Sequence, residues 1–292
     1  MVNWMVQVQC TTKMDDESAI SNAVHIQSPE PHKKERNFFS QSRRKRGNAW
    51  IVVHLLLIPT TAAALAIQMD SIYEKLASQF YRHLEDPDYQ RWVAIAGGPG
   101  SGKTTTAVSI AERLNAIKPN SCAVLPLDGF HYSKARLMEL DPRGAYLRRR
   151  GAPWTFDAEL CVELLCKAKK EKSGSFPVYD RTISDPVGDG VVLTPEHKVV
   201  LVEGLYLLLQ NDARWKPLQT LWDERWFVKA PTFEIQRQRL IERSLRTWSA
   251  EKAEMWGEGE AGVAARVDAN DTKNMRIVAA CEEFADTIVV TL

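Results

Sequence analysis

A chain of 292 residues fits one or two domains. Its 45% apolar and 26% charged content is that of an ordinary globular protein, which excludes a wholly disordered or fibrous chain. A net charge of +1 argues against an extended nucleic-acid surface, although a local basic pocket for an anionic ligand stays open.

Residues 1–47 carry few periodic apolar positions and end in the basic cluster Arg43, Arg44, Lys45 and Arg46, so they read as disordered. The apolar run 49–67 is almost the length that spans a bilayer, roughly 20 residues, and its basic flank would suit a cytoplasmic N-terminus. His54, Pro59, Thr60 and Thr61 weigh against a span, and the run starts too far along the chain for a signal peptide. Met69 opens a helix expected over 70–84, with a capping box from Ser71 to Glu74. Residues 1–68 are therefore expected to be an extension, an anchor or a docked helix, or a gene-prediction artefact. Residues 69–292 are expected to form the working domain.

From Met69 onward, short β-branched runs alternate with helical segments. Strands are expected at Trp92–Ala96, Ala123–Leu127, Val199–Val202, Trp226–Lys229 and Thr287–Thr291, with helices near 103–116, 157–171, 231–246 and 272–284. Such alternation implies an α/β fold with a parallel sheet covered on both faces. Ligands of such sheets sit beyond the carboxyl ends of the strands. The five cysteines, Cys10, Cys122, Cys161, Cys166 and Cys281, are scattered, with no C-x-x-C pair. They read as reduced thiols of a cytoplasmic protein, with Cys161 and Cys166 as core packing.

The segment after the first domain strand reads GGPGSGKTTT and matches G-x-x-x-x-G-K-[ST] at Gly97, Gly102, Lys103 and Thr104. Glycines let the backbone of Gly97, Gly98, Pro99, Gly100, Ser101 and Gly102 turn its N–H groups onto phosphate oxygens, and the next helix, with Thr105 in its first turn, adds its positive end. Lys103 is expected at the β- and γ-phosphates of ATP, and the Thr104 hydroxyl at Mg²⁺. No guanine-recognition motif follows. Thr12-Lys13-Met14-Asp15 lies upstream of the loop, and Asp141-Pro-Arg-Gly144 has no apolar strand running into it, which argues against a GTPase.

Two acidic residues follow apolar strands. Asp128 comes after Ala123–Leu127, and Glu203 after Val199–Val202. Strands parallel to the loop strand would carry both to the nucleotide. There one carboxylate can take the proton of an attacking hydroxyl and the other can position Mg²⁺. His131, three residues past Asp128, is open to a role at the acceptor or a structural one.

The segments GGPGSGKTTT, PLDGFH, RRRGAPWTFD, PVYDR, DPVGDG and VVLVEGLYLLL resemble, in order, those of the phosphoribulokinase, uridine kinase and pantothenate kinase family, and within it a fungal and bacterial branch of kinase-like P-loop ATPases. The resemblance runs from about Trp92 to the C-terminus. It implies a P-loop three-layer sandwich with a mostly parallel five-stranded sheet and a helical lid. It also implies an ATP- and Mg²⁺-dependent transfer to a hydroxyl of a small-molecule acceptor such as a nucleoside, vitamin or sugar derivative. By it, Asp128 matches the catalytic base and Glu203 the second acidic position, while Tyr179, Asp180 and Arg181 match a strip lining the acceptor pocket. Arg239 and Arg243, four apart on one face of 234–246, match lid arginines. Arg149 is expected near an anionic acceptor or the nucleotide phosphates, and Asp157 at a helix N-cap. Asn270, Asp271 and Asn274 match a C-terminal segment near the nucleotide. The chain departs from the branch in carrying Arg243-Ser244 where R-H is usual, and in the Glu- and Trp-rich stretch 248–262. The alternative is a P-loop ATPase used as a nucleotide-dependent regulatory module. A homodimer is left open.

Overall fold

The computed structural model of the protein describes residues 5–11, 21–27 and 62–292. Strand β1 (Met5–Thr11) pairs antiparallel with β2 (Ser21–Gln27), Val8 opposite Val24. The basic cluster at 43–46 and residues 49–61 of the apolar run lie outside the described residues, as does the tetrapeptide 12–15.

Helix α1 spans Ala62–Ser78, earlier than expected. The tail of the apolar run is alanine-rich and extends the helix upstream, so Ser71 is interior and caps nothing. Glu74 instead accepts from the Tyr81 hydroxyl at 2.8 Å and lies 3.6 Å from Arg113. No helix among the described residues is long and apolar enough to cross a membrane.

The strands then follow as β3 (Arg91–Ala96), β4 (Cys122–Pro126), β5 (Gly174–Asp180), β6 (Asp185–Leu193), β7 (Val199–Gly204), β8 (Glu224–Lys229) and β9 (Thr287–Val290). The helices are α2 (Lys103–Ile117), α3 (Lys134–Leu140), α4 (Ala145–Arg148), α5 (Ala158–Glu171), α6 (Phe233–Leu245), α7 (Ala250–Trp256), α8 (Gly259–Arg266) and α9 (Thr272–Ala279). One sheet has the order β4-β7-β3-β8-β9, with every neighbour parallel. A parallel sheet must bury both faces, and β3 shows how. Trp92, Ala94 and Ala96 pack toward Cys161 and Leu165 of α5, while Val93 and Ile95 pack toward Tyr73, Phe80, Ile110 and Leu114. The expected α/β sandwich and all five expected sheet strands are present.

Asp157 caps α5, accepting from Leu160 N at 3.0 Å. Cys161 is buried on that helix, but Cys166 is exposed. Five residues on, the helix has turned by more than a full turn and Cys166 leaves the core-facing stripe. The antiparallel hairpin β5–β6 stands outside the main sheet, and a small third core of Leu240, Ile241, Val263, Val267 and Met275 joins α6, α8 and α9. A π-helical turn, Val267–Asp271, links α8 to α9.

Candidate active site

The expected phosphate loop joins β3 to α2. Gly100 and Gly102 adopt φ of 77° and 93°, a region that favours glycine. At Gly102 a Cβ would also stand 2.9 Å from Cγ2 of Thr291. Gly97, Gly98, Pro99 and Ser101 are buried, whereas Thr104 and Thr105 are exposed on the first turn of α2. The loop thus forms an open cradle at the positive end of a 15-residue helix, the usual setting for a polyphosphate.

Strand register brings the carboxylates to this cradle. Glu203 of β7 sits level with Ile95 of β3 and Pro126 of β4. Its Oε1 accepts from the Thr104 hydroxyl at 3.0 Å, and its Oε2 lies 3.8 Å from Lys103 Nζ. Burial raises the Glu203 carboxyl above its ordinary range. The charge of Asp128 pushes the same way, and Lys103, Thr104 and Arg181 oppose it. Asp128 lies two residues past the end of β4, in a 3-10 turn over Leu127–Phe130, and its carboxylate makes no hydrogen bond with the described residues. Gly129 lets the hairpin close on this turn, because a Cβ there would stand 1.9 Å from the Pro177 carbonyl oxygen. The Asp128 carbonyl accepts from His131 Nδ1 at 2.8 Å. The His131 ring lies between Phe156 and Tyr179, with centroids 3.8 and 5.3 Å away, and burial lowers its pKa. Through this bond the His131 ring supports the Asp128 turn.

The donor set fits Mg²⁺. Thr104 and Glu203 offer hard oxygens side by side, and Asp128 offers an unengaged carboxylate. Among the described residues there is no group of three or more acidic, His or Cys side chains that could hold a metal alone. Mg²⁺ commonly takes one or two carboxylates and completes its shell with water and substrate phosphates, so a sparse set is what its chemistry needs.

The arginines divide. Arg239 donates to Thr291 Oγ1 at 2.8 Å and Thr291 O at 3.3 Å, and Thr291 Oγ1 donates to Ser101 O at 2.7 Å, so Arg239 braces α6 against the back of the phosphate loop. Arg243, one turn further, makes no hydrogen bond or ion pair with the described residues and lines a cavity of about 240 Å³ with Tyr179 and Arg181. Arg149 lines neither that cavity nor a second one beside His131. It donates to Ala269 O at 3.2 Å, to Asn270 Oδ1 at 2.7 Å and to Asn274 Oδ1 at 3.2 Å, which ties its loop to the π turn in place of an acceptor. Asp180 accepts from the Thr182 amide and hydroxyl at 2.7 and 2.6 Å, closing the β5–β6 turn.

Several positioning contacts escaped the sequence reading. Gln236 Nε2 donates to Pro99 O at 2.8 Å, so α6 is latched onto the loop twice. Arg150 donates to Asp185 Oδ1 at 2.6 Å and stacks 5.3 Å over Tyr179, fixing the hairpin beside Asp128. Tyr206, buried, donates its hydroxyl to Gly151 O at 2.6 Å. Each of these hydrogen bonds joins residues more than 30 positions apart, and a single sequence carries no signal for it.

No model of a known protein family matches the chain. A Schizosaccharomyces pombe protein named "putative uridine kinase" is 34% identical over 190 residues, which cover 62% of this chain and 79% of that protein. A solved structure described as a "putative fructose transport system kinase", from Silicibacter sp. TM1040, is 31% identical and superposes with a TM-score of 0.61 over 74% of this chain and 98% of its own. The YFH7 protein of Saccharomyces cerevisiae, a P-loop protein with a circular permutation, shares the fold at 17% identity, with a TM-score of 0.60 over 75% of this chain and 97% of its own.

Proposed function

Because the chain belongs to the uridine kinase and phosphoribulokinase family of ATP-dependent P-loop kinases, we propose that it transfers the γ-phosphoryl group of ATP to a hydroxyl of a small metabolite. The observation that carries this reading is the convergence, at the ends of three parallel strands, of the phosphate loop, buried Glu203 and unengaged Asp128. Asp128 takes the proton of the acceptor hydroxyl as its oxygen bonds to the γ-phosphorus. The bond from that phosphorus to the β–γ bridging oxygen breaks, and ADP leaves. Lys103, the loop amides and Arg243 face the charge spread over the moving group. Thr104 and Glu203 would hold Mg²⁺, which when bound neutralises phosphate charge. Tyr179 and Arg181 border the acceptor side. Little covalent work falls to the protein, so positioning and electrostatics supply most of the rate.

We take residues 69–292 as the kinase domain. The unpaired buried thiols of Cys122, Cys161 and Cys281 suit a reducing, cytoplasmic setting. The test is steady-state ADP release with Mg-ATP against nucleosides, vitamins, sugars and sugar acids. An acceptor that raises the rate well above the hydrolytic background, with that gain lost in Lys103→Ala, supports the kinase. A rate that no hydroxyl compound changes would turn the reading toward a nucleotide-dependent binding module.

A further inference from the structure

The 240 Å³ cavity beside the transfer site is unusually one-sided in charge. It lies between the tip of the β5–β6 hairpin and the helices α6, α7 and α8. Arg181 comes from the hairpin turn, Arg243 from α6, Lys252 from α7 and Arg266 from α8, and no carboxylate lines it. Arg266 is neutralised by Asp271 at 2.9 Å. Arg181, Arg243 and Lys252 have no carboxylate within ion-pair distance among the described residues. Lys252 Nζ is held in place by donating to Thr247 O at 2.9 Å. Burial and the neighbouring Arg266 charge lower the Lys252 pKa, and burial likewise lowers that of Arg243, with the charges of Arg181 and Arg266 acting in the same direction and those of Asp271 and Asp128 opposing it. Three elements therefore bring three uncompensated cations to one small space. Left empty of anions, such an arrangement is self-repelling.

The transferring phosphoryl group accounts for part of this charge, but Lys103 and one lid arginine are the usual complement for it. Arg181 and Lys252 are surplus to that need. A cavity of 240 Å³ is also below the roughly 300–1,000 Å³ of clefts that take drug-sized ligands, so its occupant is small. Tyr179 and Trp248 line the same space and offer apolar faces to a short carbon skeleton.

We propose that the phosphoryl acceptor is a small hydroxylated anion, a polyol carrying its own carboxylate or phosphate group, and that Arg181 and Lys252 hold that group while Arg243 faces the transferring phosphoryl. This goes with the kinase reading and rests on it for the word acceptor. The charge selection itself is a binding property and is tested without turnover. A neutral nucleoside leaves Arg181 and Lys252 unpaired, which is how such a site discriminates against it.

The experiment is thermal stabilisation and calorimetric titration of the full chain with its phosphate loop filled by Mg²⁺ and a non-hydrolysable ATP analogue. The probes are matched trios at three, five and six carbons: glycerol, glycerate and glycerol 3-phosphate; ribose, ribonate and ribose 5-phosphate; glucose, gluconate and glucose 6-phosphate. Uridine is the neutral comparison. The expected result is that at least one anionic member binds tenfold or more tightly than its neutral partner, and the carboxylate and phosphate arms identify which group is read. Arg181→Met, at an exposed position, and Lys252→Met, at a half-buried one, should each weaken that binding about tenfold and leave the affinity for the ATP analogue within twofold. Equal binding of neutral and anionic members, preferential binding of uridine, binding to no member of any trio, or anion binding unaltered in both variants would overturn the assignment. The kinase reading would then still be judged separately, by ADP release.

Discussion

The hydroxyl of Thr104 donates to Oε1 of Glu203 at 3.0 Å, although the two residues lie on separate elements 99 positions apart. The contact follows from register, since Glu203 is level with Ile95 on the neighbouring strand, and Ile95 leads directly into the phosphate loop. In the proposed mechanism Glu203 would orient Mg²⁺ or its water. Glu203→Gln keeps the shape and the hydrogen bond but removes the charge. It should lower acceptor-dependent turnover about 10–100-fold, as losing a group that orients a metal commonly does. Raising the Mg²⁺ concentration should recover part of the loss, which initial rates over a Mg²⁺ series would show.

The same carboxyl predicts a pH dependence. Burial raises it, so the folded protein holds its proton to a higher pH than the unfolded chain does. Its contribution to stability is complete below the unfolded value and is lost as pH rises through the folded one. Without nucleotide, the Tm of the wild type should fall relative to Glu203→Gln as pH climbs above the usual carboxylate range. Mg²⁺ favours the ionised form, so stabilisation by Mg-ADP should grow over that range in the wild type and stay flat in the variant. Melting curves across pH, with and without Mg-ADP, check both.

Arg239 and Arg243 sit one turn apart on α6 yet should fail differently. Arg239→Ala removes the brace to Thr291 and should cost about 1–2 kcal/mol of stability, read from denaturant midpoints, with a smaller effect on turnover. Arg243→Ala breaks no hydrogen bond or ion pair with the described residues. It should leave the midpoint near that of the wild type and lower kcat about 10²–10³-fold, the range for a donor aimed at developing charge.

Arg149→Met separates a structural arginine from an acceptor contact. Removing its bonds to Asn270 and Asn274 strands buried polar atoms, which costs about 1–3 kcal/mol. The principal change should be a lower Tm. A large rise in acceptor KM at unchanged Tm would return Arg149 to the acceptor site.

The central sheet was readable because its strands are short β-branched runs between clear breakers, and because Gly97, Gly102, Lys103 and Thr104 have one well-understood use. Asp128 and Glu203 were readable because a parallel sheet sends both strand ends to one place. The arginines were not. Arg149, Arg150, Arg239 and Arg243 look alike in sequence, and their roles depend on partners such as Asn270, Asp185 and Thr291 that only the fold brings near. The β5–β6 hairpin went unseen for a related reason. Pro177, Pro186 and several glycines weaken its strand pattern, and it is pinned in place by Arg150 rather than by membership of the main sheet. Ser71 misled because a capping sequence means little where strong helix formers precede it.

The most direct measurement follows the γ-phosphorus itself. The protein is incubated with Mg-ATP labelled at the γ-phosphate and with whichever acceptor most stimulates ADP release, and the label is partitioned between an organic phosphate ester and inorganic phosphate. The account predicts that most label enters the ester in the wild type. It predicts that Asp128→Asn, which keeps the phosphate loop intact, lowers that transfer about 10²–10⁴-fold while nucleotide affinity is retained. Label found only in inorganic phosphate, or an ester formed equally fast by Asp128→Asn, would contradict it.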